Sequence, residues 1–570
     1  MKIKQAIIRG MFLVTLMYIF ITVFITPPFF AQVEKIEKTE QEIAKEKRLR
    51  QKLEKEKGKV QIEEKIPPVL APIEGEEKIL VKKITVTGVT LIPEKEINEI
   101  ILRFENKQTT LRQMQEAADL ITDAYRKKGY LTSRAYLPPQ KIQEGMLEIR
   151  VVEGITGDID IKGNRYFKSS LYRDKIVLKK GELFNYENLR KGLSIINQLP
   201  DRNAKAVLTP SKEPGSTDVV LEVKDRLPIH IGFDWDNYGS PYIDKQRLRI
   251  TLTDNNLVGM DDVLTLQYQL SQGEKYKLLL LRYLYPLNEN LKLGFFAADS
   301  KIDLRRNLNA RGKSRLYSMY LTQSLINREN VGLNLNLGFD YKDIFNFQND
   351  AEASRDRMRV IKTSLDLDLT DTMGRTIIDN EVSYGIAGIM GGLKKRDPRS
   401  SRSGAGGEFC KDTLGLLRLQ KMPFNSVLLW KNQFQFTGNI LTAAEQFQTG
   451  GIINVRAYPP AEVVGDRGYS MTWELSMPPY FLPKDIGVPF SRAKFYDALR
   501  LVIFYDWANT YLKRPTATEE KNKTLRGVGC GLRFNLPEDF SLRLEVAWPL
   551  DNMPSDGDHA HTLFEVSKSF

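Results

Sequence analysis

The sequence predicts a mixed fold: two copies of a small α+β module, then an antiparallel β-barrel of sixteen strands, with a charged helix ahead of both. Three observations predict it. From about residue 229 to the end, sixteen runs alternate apolar and polar residues with period two. Between residues 79 and 225 one order of elements occurs twice. The chain also begins with a basic stretch and an apolar run of the kind that directs export.

Composition narrows the function classes. Apolar residues make up 42% of the chain and mean hydropathy is −0.35, which argues against a bundle of membrane helices. Aromatic residues at 10% beside 27% charged residues describe a folded chain. The net charge of +12 is spread along the sequence and interleaved with acids, so no nucleic-acid partner is expected. Two cysteines, Cys410 and Cys530, make neither a disulfide framework nor a metal knuckle, and there are three histidines (His230, His559 and His561). No Walker loop, HExxH or GxSxG occurs. No catalytic activity, metal or cofactor is therefore expected.

The elements follow in order. Lys2, Lys4 and Arg9 precede the apolar run MFLVTLMYIFITVFI (11–25), and Ala31 precedes Gln32. Residues 1–31 are read as a secretory signal, although Phe29 stands where a small residue is usual, and an uncleaved anchor is the alternative. Residues 34–66 carry 20 charged side chains out of 33, without a clean heptad. The span 32–77 is therefore read as a solvated charged helix followed by a linker containing Pro67, Pro68 and Pro72.

The duplicated unit comes next. ILVKKITVTGV (79–89) and GDIDIKGNRYF (157–167) each contain a strand ending at a glycine, Gly88 and Gly163, 75 residues apart. Two helical stretches follow each (93–104 and 110–129; 169–178 and 185–199), and two strands close each copy (131–138 and 146–154; 204–211 and 217–225). The boundaries are placed at 78–154 and 155–226. Such a module can dock a polypeptide or act as a spacer.

From 227 to 570 the pattern is different. In GLNLNLGFD (332–340), Leu333, Leu335, Leu337 and Phe339 share one face, while Asn334, Asn336, Gly338 and Asp340 share the other. Most of the sixteen runs have roughly the 9–11 residues that a tilted strand needs to cross a bilayer, and the number is even, as in outer-membrane barrels. A lectin-type sandwich also alternates, but it rarely supplies sixteen consecutive strands of this length. Turns after even strands are short (NEN, TMG, PFN, PED), while connections after odd strands are longer, such as 300–313 and 392–407. Short turns belong on the periplasmic side and long loops outside. PPYFLPKDIGVPFSRAKFYD (478–497), after the twelfth strand, breaks this rule. NVRAYPPAEVVGDRGY (454–469) follows an odd strand and so roots on the external side. Its Pro459 and Pro460 exclude a sheet interior.

Several of these segments resemble a known family. The two modules are similar to POTRA domains, above all ITDAYRKKGYLTSRAYLPPQKIQEGMLEIRVVEG (121–154), which resembles the first POTRA domain of two-partner secretion transporters, the haemolysin- and adhesin-secretion outer-membrane proteins. NVRAYPPAEVVGDRGY resembles the signature of the sixth barrel loop in that family, and FYDWA (504–508) its thirteenth-strand motif. The resemblance implies a loop folded into the lumen, with Val455, Arg456, Ala457 and Tyr458 at its motif and Arg456 paired with Asp506. It implies an outer-membrane location with the POTRA domains in the periplasm.

Independently, a wide barrel leaves an aqueous lumen unless something fills it, and a guanidinium can hold a loop to a wall carboxylate by two hydrogen bonds. In a partly wet lumen such a pair would contribute about 1–3 kcal/mol. Gly465, Asp466, Arg467, Gly468 and Tyr469 are read as the turn into the twelfth strand. Two departures from the family pattern stand out. Ala457 occupies a position where glycine is usual, which would cost about 1 kcal/mol or more if φ were positive there. Phe570 ends the chain as a barrel-insertion signal does, but Lys568 replaces an aromatic or aliphatic residue.

The expected function is export. The modules would bind a large secreted exoprotein, unfolded in the periplasm, and the barrel would conduct it to the cell surface. Outer-membrane lipid and the barrel-assembly machinery are the other expected partners. The alternatives are a barrel-assembly factor of the same superfamily, and a porin or adhesin, which would leave the paired modules unexplained.

Overall fold

The computed structural model describes residues 60–64, 78–142, 144–213, 215–241, 243–304, 310–328, 330–348, 351–515 and 519–570. The expected signal (1–31) and nearly all of the charged helix and linker (32–77) lie outside the described residues.

In the first module, Lys83–Thr87 runs parallel to Met146–Val152, which pairs antiparallel with Arg134–Tyr136. Ile79–Val81 and Lys107–Thr109 form a separate two-stranded ribbon. The helices Glu94–Ile101 and Leu111–Lys127 cover the three-stranded sheet. The second helix begins at a capping box in which Thr110 and Gln113 satisfy each other's backbone N–H. Its Met114, Ala117, Ala118, Ile121 and Tyr125 recur at helical spacing and fill the core against Leu147, Ile149 and Val151.

The second module repeats the plan. Ile155–Lys162 is parallel to Ser216–Asp225, which is antiparallel to Arg202–Pro210, with helices Ser169–Arg173 and Tyr186–Gln198 packed above. The two copies share a detail at the glycine turn. Gly88 (φ 81°) lies over the Val151 carbonyl and Gly163 (φ 89°) over the Val223 carbonyl, each so close that a Cβ would overlap the oxygen. An acid at the end of the last strand then ties down the chain beyond the glycine. Glu153 accepts from the N–H groups of Thr90 and Leu91 and from the Tyr125 hydroxyl. Asp225 accepts from the N–H groups of Arg165, Tyr166 and Phe167 and from the Tyr172 hydroxyl.

One element was not expected. Ile62–Glu64, inside the span read as linker, adds to the second module as a fourth strand parallel to Arg202–Pro210, with Ile62 opposite Ala206. Val60 and Ile62 pack on that module's core.

Residues 229–570 form a closed antiparallel barrel of sixteen strands, from Ile229–Asp236 to His561–Ser569. Alternation decides the faces. On the thirteenth strand (Leu499–Tyr511) Val502, Phe504, Asp506, Ala508 and Thr510 are buried, and the residues between them are not. The fifth to eighth strands (Leu291–Leu304, Ala310–Asn327, Val331–Gln348, Ala351–Asp371) have 14, 18, 18 and 21 residues. That is longer than a bilayer crossing requires. Much of 300–313, read as a polar loop, is therefore strand. Burial still alternates in these extensions, but the covered positions include polar residues such as Ser300, Ser314, Lys342 and Asp356. The barrel closes where Gly232–Asp236 pairs with Glu565–Ser569.

Candidate functional site

Residues 438–466 leave the eleventh strand (Ser426–Thr437) and return at the twelfth (Arg467–Met477). Phe447–Thr449 and Val463–Gly465 pair antiparallel, so the long connection is a hairpin. Asn454 shapes its tip: the Oδ1 atom accepts from the N–H groups of Gly450 and Val455, and Nδ2 donates to the Gln448 carbonyl. Val455, Arg456, Ala457 and Tyr458 are all buried.

Arg456 reaches the wall at Asp506. Its Nε and Nη2 atoms donate to the two carboxylate oxygens, each at 2.9 Å, and its backbone N–H adds a third bond at 3.1 Å. The guanidinium carbon lies 3.4 Å from the Phe504 ring centroid. Nη1 also donates to Glu474 on the twelfth strand at 2.8 Å and to Glu545 on the fifteenth (Phe540–Pro549) at 3.2 Å. Arg533, on the fourteenth strand (Asn522–Leu536), bridges the same two glutamates at 2.6–3.0 Å, and Arg543 binds Glu545. Three guanidiniums thus meet three carboxylates in one charge-balanced network.

This changes the expected energetics. Arg456 is 3% exposed and Asp506 0%. Removing one member of so buried a set leaves uncompensated charge, which costs about 3–5 kcal/mol rather than the value for a wet lumen.

Ala457 is free of the strain considered for it, because the left-handed non-glycine residue of this loop is Ala461 (φ 56°). Its methyl group meets a glycine instead. A Cβ added to Gly527 on the fourteenth strand would lie 2.7 Å from the Ala457 Cβ. His561 Nδ1 is 2.8 Å from the Ala457 carbonyl oxygen and its Nε2 is 3.0 Å from Asp556. Asp556, Asp558 and His561 bring their ligand atoms within 4.8 Å of one another, as in a metal site. The Lys245 ammonium sits 2.6 Å from Asp558 and 3.3 Å from Asp556, so these acids already have a cation.

The GDRGY half is more than a turn. Asp466 is fully buried. It accepts from Arg402 at 2.6 Å and from the N–H groups of Leu441 and Lys513, and so joins three external connections. Arg467, Gly468 and Tyr469 belong to the twelfth strand. Gly468 lies under the Phe447 ring, where a side chain would overlap it. Tyr469 stacks on Phe434 (4.4 Å) and lies 5.1 Å from the Trp507 ring, on the outer face. Gly465 ends the hairpin strand.

The loop has a second anchor, of opposite sign. Glu445, 1% exposed, lies 2.9 Å from Lys342 on the seventh strand and 2.5 Å from Lys411 on the tenth (Phe409–Met422). Glu445, Glu474, Glu545, Arg533, Lys342, Lys411 and Arg402 escaped the sequence reading. The available signal was charge on the lumen-facing parity of strands, such as Glu474 in SMTWELSM.

Phe570 pairs with Ile231 through both backbone bonds, and its ring packs edge-on to Phe233. Lys568 donates to the Glu538 carbonyl and lies 4.9 Å over the Phe570 ring, so its ammonium reaches the periplasmic turn.

Residues 79–154 match the family model of the ShlB-type POTRA domain, and residues 215–534 match that of the haemolysin secretion/activation protein ShlB/FhaC/HecB. The heme/hemopexin transporter protein HuxB of Haemophilus influenzae (strain 86-028NP) is 22% identical, across 83% of this chain and 84% of its own. The hemolysin transporter protein HpmB of Proteus mirabilis is 26% identical over 34% of this chain and 33% of its own. Among solved structures, CdiB from Escherichia coli superposes with a TM-score of 0.67 at 20% identity, covering 95% of this chain and 98% of that one, which shows the shared fold. With its family model spanning more than half of the 570 residues, this chain belongs to the haemolysin secretion/activation protein ShlB/FhaC/HecB family of outer-membrane transporters, with its POTRA modules in the periplasm.

Proposed function

We propose that this protein exports one large polypeptide, recognised unfolded in the periplasm, through its barrel to the cell surface, without a catalytic step of its own. The observation that carries this reading is the lumenal hairpin, anchored by buried ion pairs at both ends. A passive pore has no use for such a plug, whereas a conduit for an extended chain needs a gate that closes when empty. The strand Ile62–Glu64 supports recognition by strand addition, since the chain's own linker already pairs with the edge of the second module. Barrel insertion through the Phe570 end and contact with outer-membrane lipid complete the partners.

The test compares culture medium from wild-type and deletion strains. Loss of one large secreted protein is expected. General depletion of barrels from the outer membrane would instead make the protein an assembly factor.

A further inference from the structure

The connection 478–498 is the anomaly of the periplasmic rim, where the neighbouring turns have three residues, 423–425 and 537–539. It lies against the outside of the barrel wall. The Tyr480 hydroxyl is 2.9 Å from Ser426 Oγ and donates to the Phe424 carbonyl at 2.6 Å. Ser426 shares the outer face with Trp430, which stacks on Trp473 at 5.7 Å. The Phe495 ring packs 5.8 Å from that of Phe534, on the opposite face from the lumenal Arg533. The segment therefore borders the lipid-facing band that includes Ile503 and Leu532.

Val488 and Ala498 are buried, but several of its other apolar side chains are exposed. Phe490 is fully exposed, Phe481 is 71% exposed and the adjoining Phe424 is 83% exposed, with Tyr480 and Ile486 also exposed. A cluster of this kind is uncommon on a surface bathed only by water. Removing a phenylalanine ring from water is favourable, so several together favour an apolar partner. Lys484, Arg492 and Lys494 alternate with the aromatics. Lys484 also lines a groove of about 370 Å³ with Phe424, Tyr480 and Tyr496. Aromatic rings with interspersed cations are what a membrane interface selects, the rings entering the headgroup boundary and the cations meeting phosphates.

We propose that residues 478–498, together with Phe424, form an interfacial anchor that inserts Phe481 and Phe490 into the periplasm-facing phospholipid leaflet while Lys484 and Arg492 pair with lipid phosphates. The anchor rests on the barrel's place in the outer membrane and adds a function for this long periplasmic connection. It would hold the rim between the twelfth and thirteenth strands, which carry Glu474 and Asp506, at a set depth.

The experiment uses nitroxide labels on the full chain with Cys410→Ser and Cys530→Ser, both native thiols being free and exposed. Labels enter at Phe481→Cys and Phe490→Cys, with Ile503→Cys as an outer-wall control and Asn288→Cys in a short periplasmic turn as a water control. The proteins are reconstituted in vesicles of phosphatidylethanolamine and phosphatidylglycerol, and folding is checked by the gel shift of unheated barrel. Oxygen and nickel-chelate accessibility are then compared. The expected result is loss of nickel access at Phe481 and Phe490, as at Ile503. Access equal to that at Asn288 would overturn the anchor, as would labels that are immobilised by added periplasmic extract and not by lipid. If Ile503 itself proved open to nickel, the membrane placement would fall and the anchor with it.

Discussion

The two ends of the lumenal hairpin solve one problem with opposite chemistry. At the tip, a cation from the loop enters an acidic wall: Arg456 meets Asp506, Glu474 and Glu545. Near the root, an anion from the loop enters a basic wall: Glu445 meets Lys342 and Lys411. Arginine binds through a planar fork that fits carboxylates in fixed directions, whereas lysine is a point charge on a flexible stem. The tip anchor is therefore specific in geometry, and the root anchor mainly in charge. A hairpin held this way can give up one end while the other keeps it inside the barrel.

The largest effect is expected at the tip. Arg456→Ala removes up to about 3–5 kcal/mol from loop docking and leaves Asp506 unpaired. Secretion should fall sharply while the barrel still inserts, and the loop should become open to protease. Arg456→Lys should restore little, because one ammonium cannot serve both oxygens of Asp506 together with Glu474. If the lysine variant secretes normally, the geometric distinction between the two ends is lost.

At the root, Glu445→Gln removes the carboxylate that Lys342 and Lys411 share, with Asp340 still 3.6 Å from Lys342, a cost of about 1–3 kcal/mol. Single-channel recordings should show more frequent opening. Lys342→Arg should be tolerated there, in contrast to Arg456→Lys. Equal damage from both swaps would mean that packing, rather than fork geometry, separates the two ends.

An effect of comparable size tests contact at the tip without altering charge. Gly527→Ala forces a methyl group against the Ala457 Cβ, at about 1–3 kcal/mol. Adding Ala457→Gly should recover secretion if the clash is the cause.

The smallest effect lies outside the barrel and lacks a charge partner altogether. Burial works to raise the Glu153 pKa, but the Thr90 hydroxyl, the Tyr125 hydroxyl and the backbone N–H groups of Thr90 and Leu91 hold it below the usual carboxylate range. Its stabilisation is therefore fully present above the unfolded pKa and is lost as pH falls through the lower folded value. Proteolysis of the first module should accelerate on acidification, and Glu153→Gln should flatten that dependence.

Much of the fold was legible because a barrel strand has a period of two and a turn at each end. Those are local properties, and all sixteen runs are strands. Strand ends were less legible. In their extensions the fifth to eighth strands still alternate in burial but bury polar residues such as Ser300, so a polar stretch such as 300–313 reads as loop. Ile62–Glu64 has three residues and no period, and its strand state comes entirely from the sheet edge beside it.

The site divides in the same way. Family resemblance placed Arg456 opposite Asp506, and alternation marked the run that carries Asp506 as a strand. Neither could supply Glu474, Glu545 and Arg533, which come from the twelfth, fifteenth and fourteenth strands and meet only through barrel register. Glu445 and Lys342 are 103 residues apart, and no local pattern marks them as partners. Sequence alone determined which residues alternate, which repeat and where the chain must turn, because those follow from backbone geometry over a few residues. Tertiary structure decided which buried charges share a neighbour, because in a closed barrel that depends on stagger between strands and on how far a loop folds back inside.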